Sequence, residues 1–225
     1  MGVARRGTEP VSQAAVAQGL GRLHVLVDSL GLAAAALDGG ATTLQVRVKS
    51  GSDAARFRLI SAVAERCRLA GVTCLVNDRA DMAAAAGADG VHVGADDLPV
   101  AAARRVVGGS AMVGGTARNP ATARRLVAEG ASYLGVGPTY ATGSKDGLPA
   151  PIGLDGLRAV AGAVNVPVIA IAGITPDRVE EVLATGAWGV AVIGAVADAP
   201  NPRAATRKLM QAVTKAADAV SEATQ

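Results

Sequence analysis

The stretch "LQVRVKS" sets Gln45, Arg47 and Lys49 at alternate positions, with Val46 and Val48 between them. In an extended chain alternate residues share a face, so one amide and two cations point the same way. A second β-branched run ends in Asn77 and Asp78 ("VNDRAD"), and a third ends just before Asp96 and Asp97 ("VHVGADD"). Two carboxylates from neighbouring strand ends, 19 positions apart for Asp78 and Asp97, are what Mg²⁺ takes when substrate phosphate oxygens complete its shell. With Arg47 and Lys49 one strand away, the set suits a diphosphate and its metal. Asp78 is equally well placed to cap a following helix, and the residues alone leave both readings open.

The segment "GPTYATGSKDG" has Gly137, Gly143, Ser144 and Lys145 near the spacing of a nucleotide-binding loop, but with the wrong gap and the last two residues exchanged. Such a loop must feed straight into a helix, and Pro149 and Pro151 follow instead. What remains is a loop with two hydroxyls, Thr142 and Ser144, and a cation, Lys145, able to fold over an anion. Two more glycines, Gly173 in "AIAGITPD" and Gly194 in "AVIGAV", open predicted helices and offer backbone N–H groups to a second anion. Two anion sites call for two phosphorylated small molecules. His24 and His92, the only histidines, lie inside strands among valines and read as core residues. Neither sits beside Ser or Cys as a nucleophile dyad would require.

These residues need a scaffold that brings several strand ends together. Eight β-branched segments supply it: residues 23–27, 43–48, 72–77, 90–93, 112–116, 133–138, 167–173 and 188–194. An Ala/Arg/Leu-rich stretch of helical period follows each, and several close on Gly-Ala, at Gly40, Gly87, Gly130 and Gly186, the mark of a left-handed helix end. The spacing, roughly 24 residues per unit, is that of a strand-loop-helix-loop module. Eight modules predict an α/β fold, a single-domain (β/α)8 TIM barrel over residues 21–213, rather than an open doubly wound sheet. Residues 1–20 read as a flexible leading segment and 214–225 as a fading helix and tail. A barrel of this kind carries its chemistry at the C-terminal ends of its strands, where every residue above falls.

Composition agrees. Half of the 225 residues are apolar and only 2% aromatic, so the core is packed from small and branched side chains, as in layered α/β folds. The net charge of +3 comes with no basic run interleaved with aromatics, which argues against nucleic acid. Cys67 and Cys74 have neither zinc nor redox spacing and read as reduced core residues. Without a long apolar run or a signal-peptide pattern, a cytoplasmic protein with no membrane association is expected. Nothing in the pattern speaks to oligomeric state.

Taken together, "QVRVK", "NDR", "GVHVGADDL" and "GPTYATGSK" resemble the motifs of the thiamine phosphate synthase family, over about Leu23 to Val213. The resemblance implies a transferase that joins a pyrimidine diphosphate to a thiazole phosphate, releasing diphosphate with Mg²⁺. It implies pyrimidine diphosphate contacts from Gln45 to Lys49, Val46 and Val48 included, and from Asn77, Thr116 and Lys145. Asp78 and Asp97 would hold the metal, and Thr142, Gly143, Ser144, Gly173, Ile193 and Gly194 would meet the thiazole phosphate. Arg47, Lys145 and Thr116 would carry catalysis, through a dissociative route that needs no protein nucleophile. The chain departs from the family pattern at Ala95, Thr116, Arg118, Ala172 and Gly194, where Gln, Ser, His, Gly and Ser are usual, and in strand 1, where His24 and Val27 replace Tyr and Thr. A tautomerase-like isomerase of the same superfamily, whose acid/base histidine aligns with Arg118, and an idle paralogue that binds a thiamine precursor are the alternatives.

Overall fold

A computed structural model describes residues 19–143, 147 and 149–222. Eight parallel strands close into one barrel in sequence order: β1 Leu23–Val27, β2 Thr43–Val46, β3 Thr73–Asn77, β4 Gly90–Val93, β5 Met112–Ala117, β6 Tyr133–Val136, β7 Val168–Ile171 and β8 Gly189–Val192. Closure is made by β1 and β8, with Leu23 level with Val190. Helices cover the outside: α1 Leu30–Asp38, α2 Asp53–Ala70, α3 Ala80–Ala86, α4 Val100–Val107, α5 Pro120–Ala128, α6 Gly153–Ala161 and α7 Val179–Leu183. The four-residue α8, Gly194–Ala197, and the long α9, Pro202–Glu222, follow β8, and α9 packs across α1 and α7. The expected (β/α)8 barrel is therefore present. The strands after which the main site loops depart, β2, β6, β7 and β8, end earlier than their β-branched runs. Past those points only single bonds to the neighbouring chain continue, such as Arg47 N–H to the Val27 carbonyl and Tyr140 N–H to the Ala172 carbonyl, in place of a regular ladder.

Alternation along each strand divides the apolar residues into two layers. Val25, Val76, Val113 and Val190 face outward into the layer shared with the helices, while Leu26, Leu75, Tyr133, Ile169 and Ala191 face the axis with Leu20. Both faces are covered, which is why these strands read as nearly unbroken apolar runs. Tyr133 is the largest fully buried side chain on the axis, and Gly114 on the neighbouring strand makes room for it: a Cβ there would lie 2.1 Å from the ring. Likewise a Cβ on Gly135 would lie 2.8 Å from the His92 ring, so Gly114 in β5 makes space for a ring of β6, and Gly135 in β6 for a ring that reaches across from β4.

Local signals agree with these positions. Ser29, Ser52 and Asn119 cap α1, α2 and α5 by accepting from the N–H three residues on. All four Gly-Ala glycines have positive φ, between 64° and 98°. The N-terminal end of the barrel is plugged by Leu20, whose carbonyl accepts from Trp188 Nε1 at 3.1 Å, while the Arg22 guanidinium covers the indole at 3.9 Å. No helix among the described residues is long and apolar enough to cross a membrane.

Candidate active site

A cavity of about 850 Å³ opens at the C-terminal ends of the strands. Gln45, Arg47, Lys49, Asn77, Asp78, Asp97, Thr116, Thr142, Gly173, Ile193 and Gly194 all line it. Of the other residues named from sequence, Val46 and Val48 turn their side chains into the outer layer, which leaves them only main-chain contact with a ligand. Gly143 is exposed and not part of the cavity wall, and Ser144 and Lys145 lie outside the described residues.

On β2 the alternation holds one step past the strand end, because Arg47 N–H donates to the Val27 carbonyl at 2.8 Å. Gln45, Arg47 and Lys49 therefore stay on the inner face, and Gln45 is buried. After β3 the backbone turns sharply. Asp78 has φ of +66°, a conformation an Asp tolerates better than most residues, and its N–H donates to the His92 carbonyl at 2.8 Å. The turn aims its carboxylate across the cavity mouth: Oδ2 takes the Lys49 ammonium at 2.5 Å, and Oδ1 accepts from Asn77 Nδ2. Asp78 is not a cap, since the N-cap position of α3 belongs to Arg79, which makes no side-chain capping bond.

Asp97, after β4, is anchored by the Gly94 N–H, 2.8 Å from Oδ2, with its carboxyl within hydrogen-bonding reach of Asp78. Burial and then the neighbouring Asp78 carboxylate push Asp97 above the usual range. For Asp78 burial works upward as well, but hydrogen bonds from Asp97 and Lys49 overcome it and hold the group below its ordinary value. Two close carboxylates that repel when both are ionised form a natural seat for a cation. The donor set of the pair is oxygen alone, which suits a hard cation such as magnesium better than zinc, and with no group of three His, Cys, Asp or Glu placed to hold a metal among the described residues, other ligands would have to come from substrate and water.

Beneath this charged rim lies a hydrogen-bonded column. Thr116 Oγ1 is 2.9 Å from His92 Nε2, and His92 Nδ1 is 3.1 Å from the Tyr133 hydroxyl. Burial lowers His92 to about 4, so the imidazole is neutral near pH 7. His24, deeper, is lowered to about 3 by burial and holds the Gly21 carbonyl at 3.0 Å as a core residue. His92 is more than that: its ring packs against Tyr133 and Gly135 but is only partly buried, and it lines the cavity. Strand parity carries the signal, because His92 stands level with Asn77, an inward residue of the next strand.

The opposite wall is made largely of backbone, with Thr175 and Asp198 beside it. Ala172 and Gly173 after β7 both have positive φ, 80° and 68°. Tyr140 N–H donates to the Ala172 carbonyl at 3.1 Å, and the Arg178 guanidinium lies 4.3 Å from the Tyr140 ring centre while bonding the Gly173 carbonyl. Ile193 leads into the four-residue α8, which starts at the cavity wall with Gly194 and leaves its first backbone N–H groups without intrahelical partners. Between the walls, Arg118 of the loop after β5 donates through Nη2 to the Ala150 carbonyl at 2.7 Å.

Sequence and fold relatives point to one family. The family described as thiamine monophosphate synthase (TMP-TENI) matches residues 23–196. The thiamine-phosphate synthase of Salinispora arenicola is 51% identical over 204 residues, covering 87% of this chain and 98% of that one. That of Haloquadratum walsbyi is 49% identical over 184 residues, with 81% and 82% covered. Among solved structures, the thiamine phosphate pyrophosphorylase of Pyrococcus furiosus superposes with a TM-score of 0.81 at 34% identity, covering 87% of this chain and 96% of that one. A barrel with its charged, carboxylate-paired cavity at the strand ends, and relatives matched over nearly their full length, make this chain a member of the thiamine monophosphate synthase family of enzymes.

Proposed function

We propose that the protein condenses 4-amino-2-methyl-5-(diphosphooxymethyl)pyrimidine with a thiazole phosphate, giving thiamine phosphate and diphosphate. The observation that carries this is one cavity with two unlike walls, cations and paired carboxylates on one side and backbone amides on the other. Its volume, about 850 Å³, suits two small molecules held together.

The methylene C–O bond breaks with its electron pair leaving on the diphosphate, and the thiazole nitrogen lone pair then closes the new C–N bond. Arg47 and Lys49 neutralise the charge that builds on the departing oxygens, with Lys145 assigned the same task from the sequence motif. Asp78 and Asp97 would hold Mg²⁺, which when bound supplies further positive charge to the diphosphate. Gln45, Asn77 and Thr116 orient the pyrimidine, and Val46 and Val48 add main-chain contacts. A neutral His92 fixes the Thr116 hydroxyl without putting a second positive charge beside a methylene cation. Leu26, Ile171 and Ala191 form an apolar floor that keeps water from capturing that cation. Thr142, Gly173, Ile193 and Gly194 receive the thiazole phosphate, with Gly143 and Ser144 assigned the same task from the sequence motif alone.

No covalent intermediate is invoked. No Ser or Cys lines the cavity among the described residues, and a histidine lowered to about 4 is too weak a base to activate Thr116. The isomerase alternative is disfavoured, because Arg118 stands at the acid/base position and is tied to a carbonyl. Incubation of purified protein with both substrates and Mg²⁺ tests the proposal: thiamine phosphate and diphosphate should appear together and vanish in Asp97→Ala. Tight binding of the pyrimidine diphosphate without product would instead point to an idle paralogue.

A further inference from the structure

The cavity holds an ion pair whose partners are both needed elsewhere when ligands arrive. Lys49 Nζ lies 2.5 Å from Asp78 Oδ2, and Asn77 serves the other carboxylate oxygen. A cation at Asp78 needs lone pairs that the ammonium now holds. We infer that Lys49 is an internal competitor for the divalent cation: it occupies Asp78 until an anion draws it off, so cation and substrate diphosphate bind interdependently. The inference rests on the cation reading of Asp78 and Asp97 given above.

The two partners differ in freedom. Asp78 is held by its backbone bond to the His92 carbonyl and by its turn at φ +66°, and its side chain is 22% exposed. Lys49 lies beyond the end of β2, with a flexible four-carbon stem and a side chain 54% exposed. Lys49 is therefore the member that moves. Arg47, two residues earlier on the same face, lines the same cavity, so an anion seated against Arg47 offers the ammonium a second acceptor. Once Lys49 leaves, no other cation among the described residues is paired with Asp78 or Asp97, and a divalent cation fills that need. By linkage, whatever strengthens cation binding when the anion is present strengthens anion binding when the cation is present. The ligand-free protein thus discriminates against a bare cation and accepts it with the diphosphate.

Calorimetric titration of the full chain with Mn²⁺ alone tests this. Lys49→Met should bind Mn²⁺ about threefold to tenfold more tightly than the unaltered protein, in the range of a half-exposed ion pair and a modest coupling. Arg47→Met removes the same charge from the same wall without touching Asp78, and should gain clearly less. Asp78→Asn in the Lys49→Met background should abolish the gain. Excess inorganic phosphate, corrected for its own Mn²⁺ complex, should tighten Mn²⁺ binding to the unaltered protein but not to Lys49→Met. Equal Mn²⁺ affinity in Lys49→Met and the unaltered protein, equal gains in Lys49→Met and Arg47→Met, or an equal phosphate effect in Lys49→Met and the unaltered protein, overturns the inference and leaves the cation site standing, provided that Asp97→Asn still weakens binding. Absence of Mn²⁺ binding in every protein overturns the cation site, and the inference with it. Unchanged thermal melting of each variant confirms that it is folded.

Discussion

The wall built by β2 to β4 meets the cavity with Arg47, Lys49, Asp78 and Asp97, whereas the wall built by β7 and β8 meets it with Gly173, Ile193 and Gly194. Both face anions in the proposed reaction, but one uses side-chain charge and the other uses the path of the main chain. On the first wall each contact depends on the identity of one residue. On the second it depends on φ and ψ, so residue identity matters only where the path demands it. This explains how Gly194 can depart from the family pattern, whereas Ala172, at φ +80°, departs at a position whose path favours glycine.

Breaking the charged wall should have the largest effect. Arg47→Met, which pairs with no carboxylate among the described residues, should lower kcat/KM about 10²- to 10³-fold with little change in stability, read from diphosphate release and a urea melt. On the backbone wall the order of effects reverses. Gly173→Ala, whose Cβ would lie 2.7 Å from Tyr140 Cβ and 2.8 Å from the Ala141 carbonyl oxygen, combines a clash with positive φ. It should cost about 2–3 kcal/mol in a urea melt, and activity should fall because the wall has moved. If Gly173→Ala were neutral in both, the contrast between the walls would collapse.

A pH series probes the column beneath the charged wall. His24 and His92 sit at about 3 and about 4 in the fold, below their unfolded value, so the unfolded chain binds more protons in mild acid. Their contribution is complete above about pH 6.5 and declines as pH falls from there toward the folded values, by about 1.4 kcal/mol per pH unit for each histidine. Melting temperature should therefore drop between pH 6.5 and 5, above the range where most carboxylates titrate. A flat profile there would mean that the histidines are solvated and the column is not packed. The smallest effect sharpens the second wall: Ala172→Gly, at φ +80°, should stabilise the protein by about 0.5–1 kcal/mol in the same urea melt, by relieving a left-handed alanine.

Much of the charged wall was legible because alternation and strand ends are local. Gln45, Arg47 and Lys49 needed only a period of two, and Asp97 only its place after a strand. Asp78 was ambiguous, since capping and metal holding ask for the same residue at the same place. The turn at φ +66° excludes the cap by pointing the carboxylate at Lys49 and Asp97 rather than at the helix, whose N-cap is Arg79. His92 was read as a core residue because a histidine among valines looks the same from one strand. Its partners Thr116 and Tyr133, 24 and 41 positions away, come from other strands.

By itself the sequence determined the eight-fold module, the parity that sends charged residues inward at the strand ends, and the glycines that end helices. Each is a property of a few consecutive residues and their allowed backbone angles. Only the closed barrel decided that Lys49 rests on Asp78, that Gly114 makes room for Tyr133, and that β7 and β8 stand opposite the cations. Those relations join residues far apart in the chain, and they exist only once closure has fixed the strands' register.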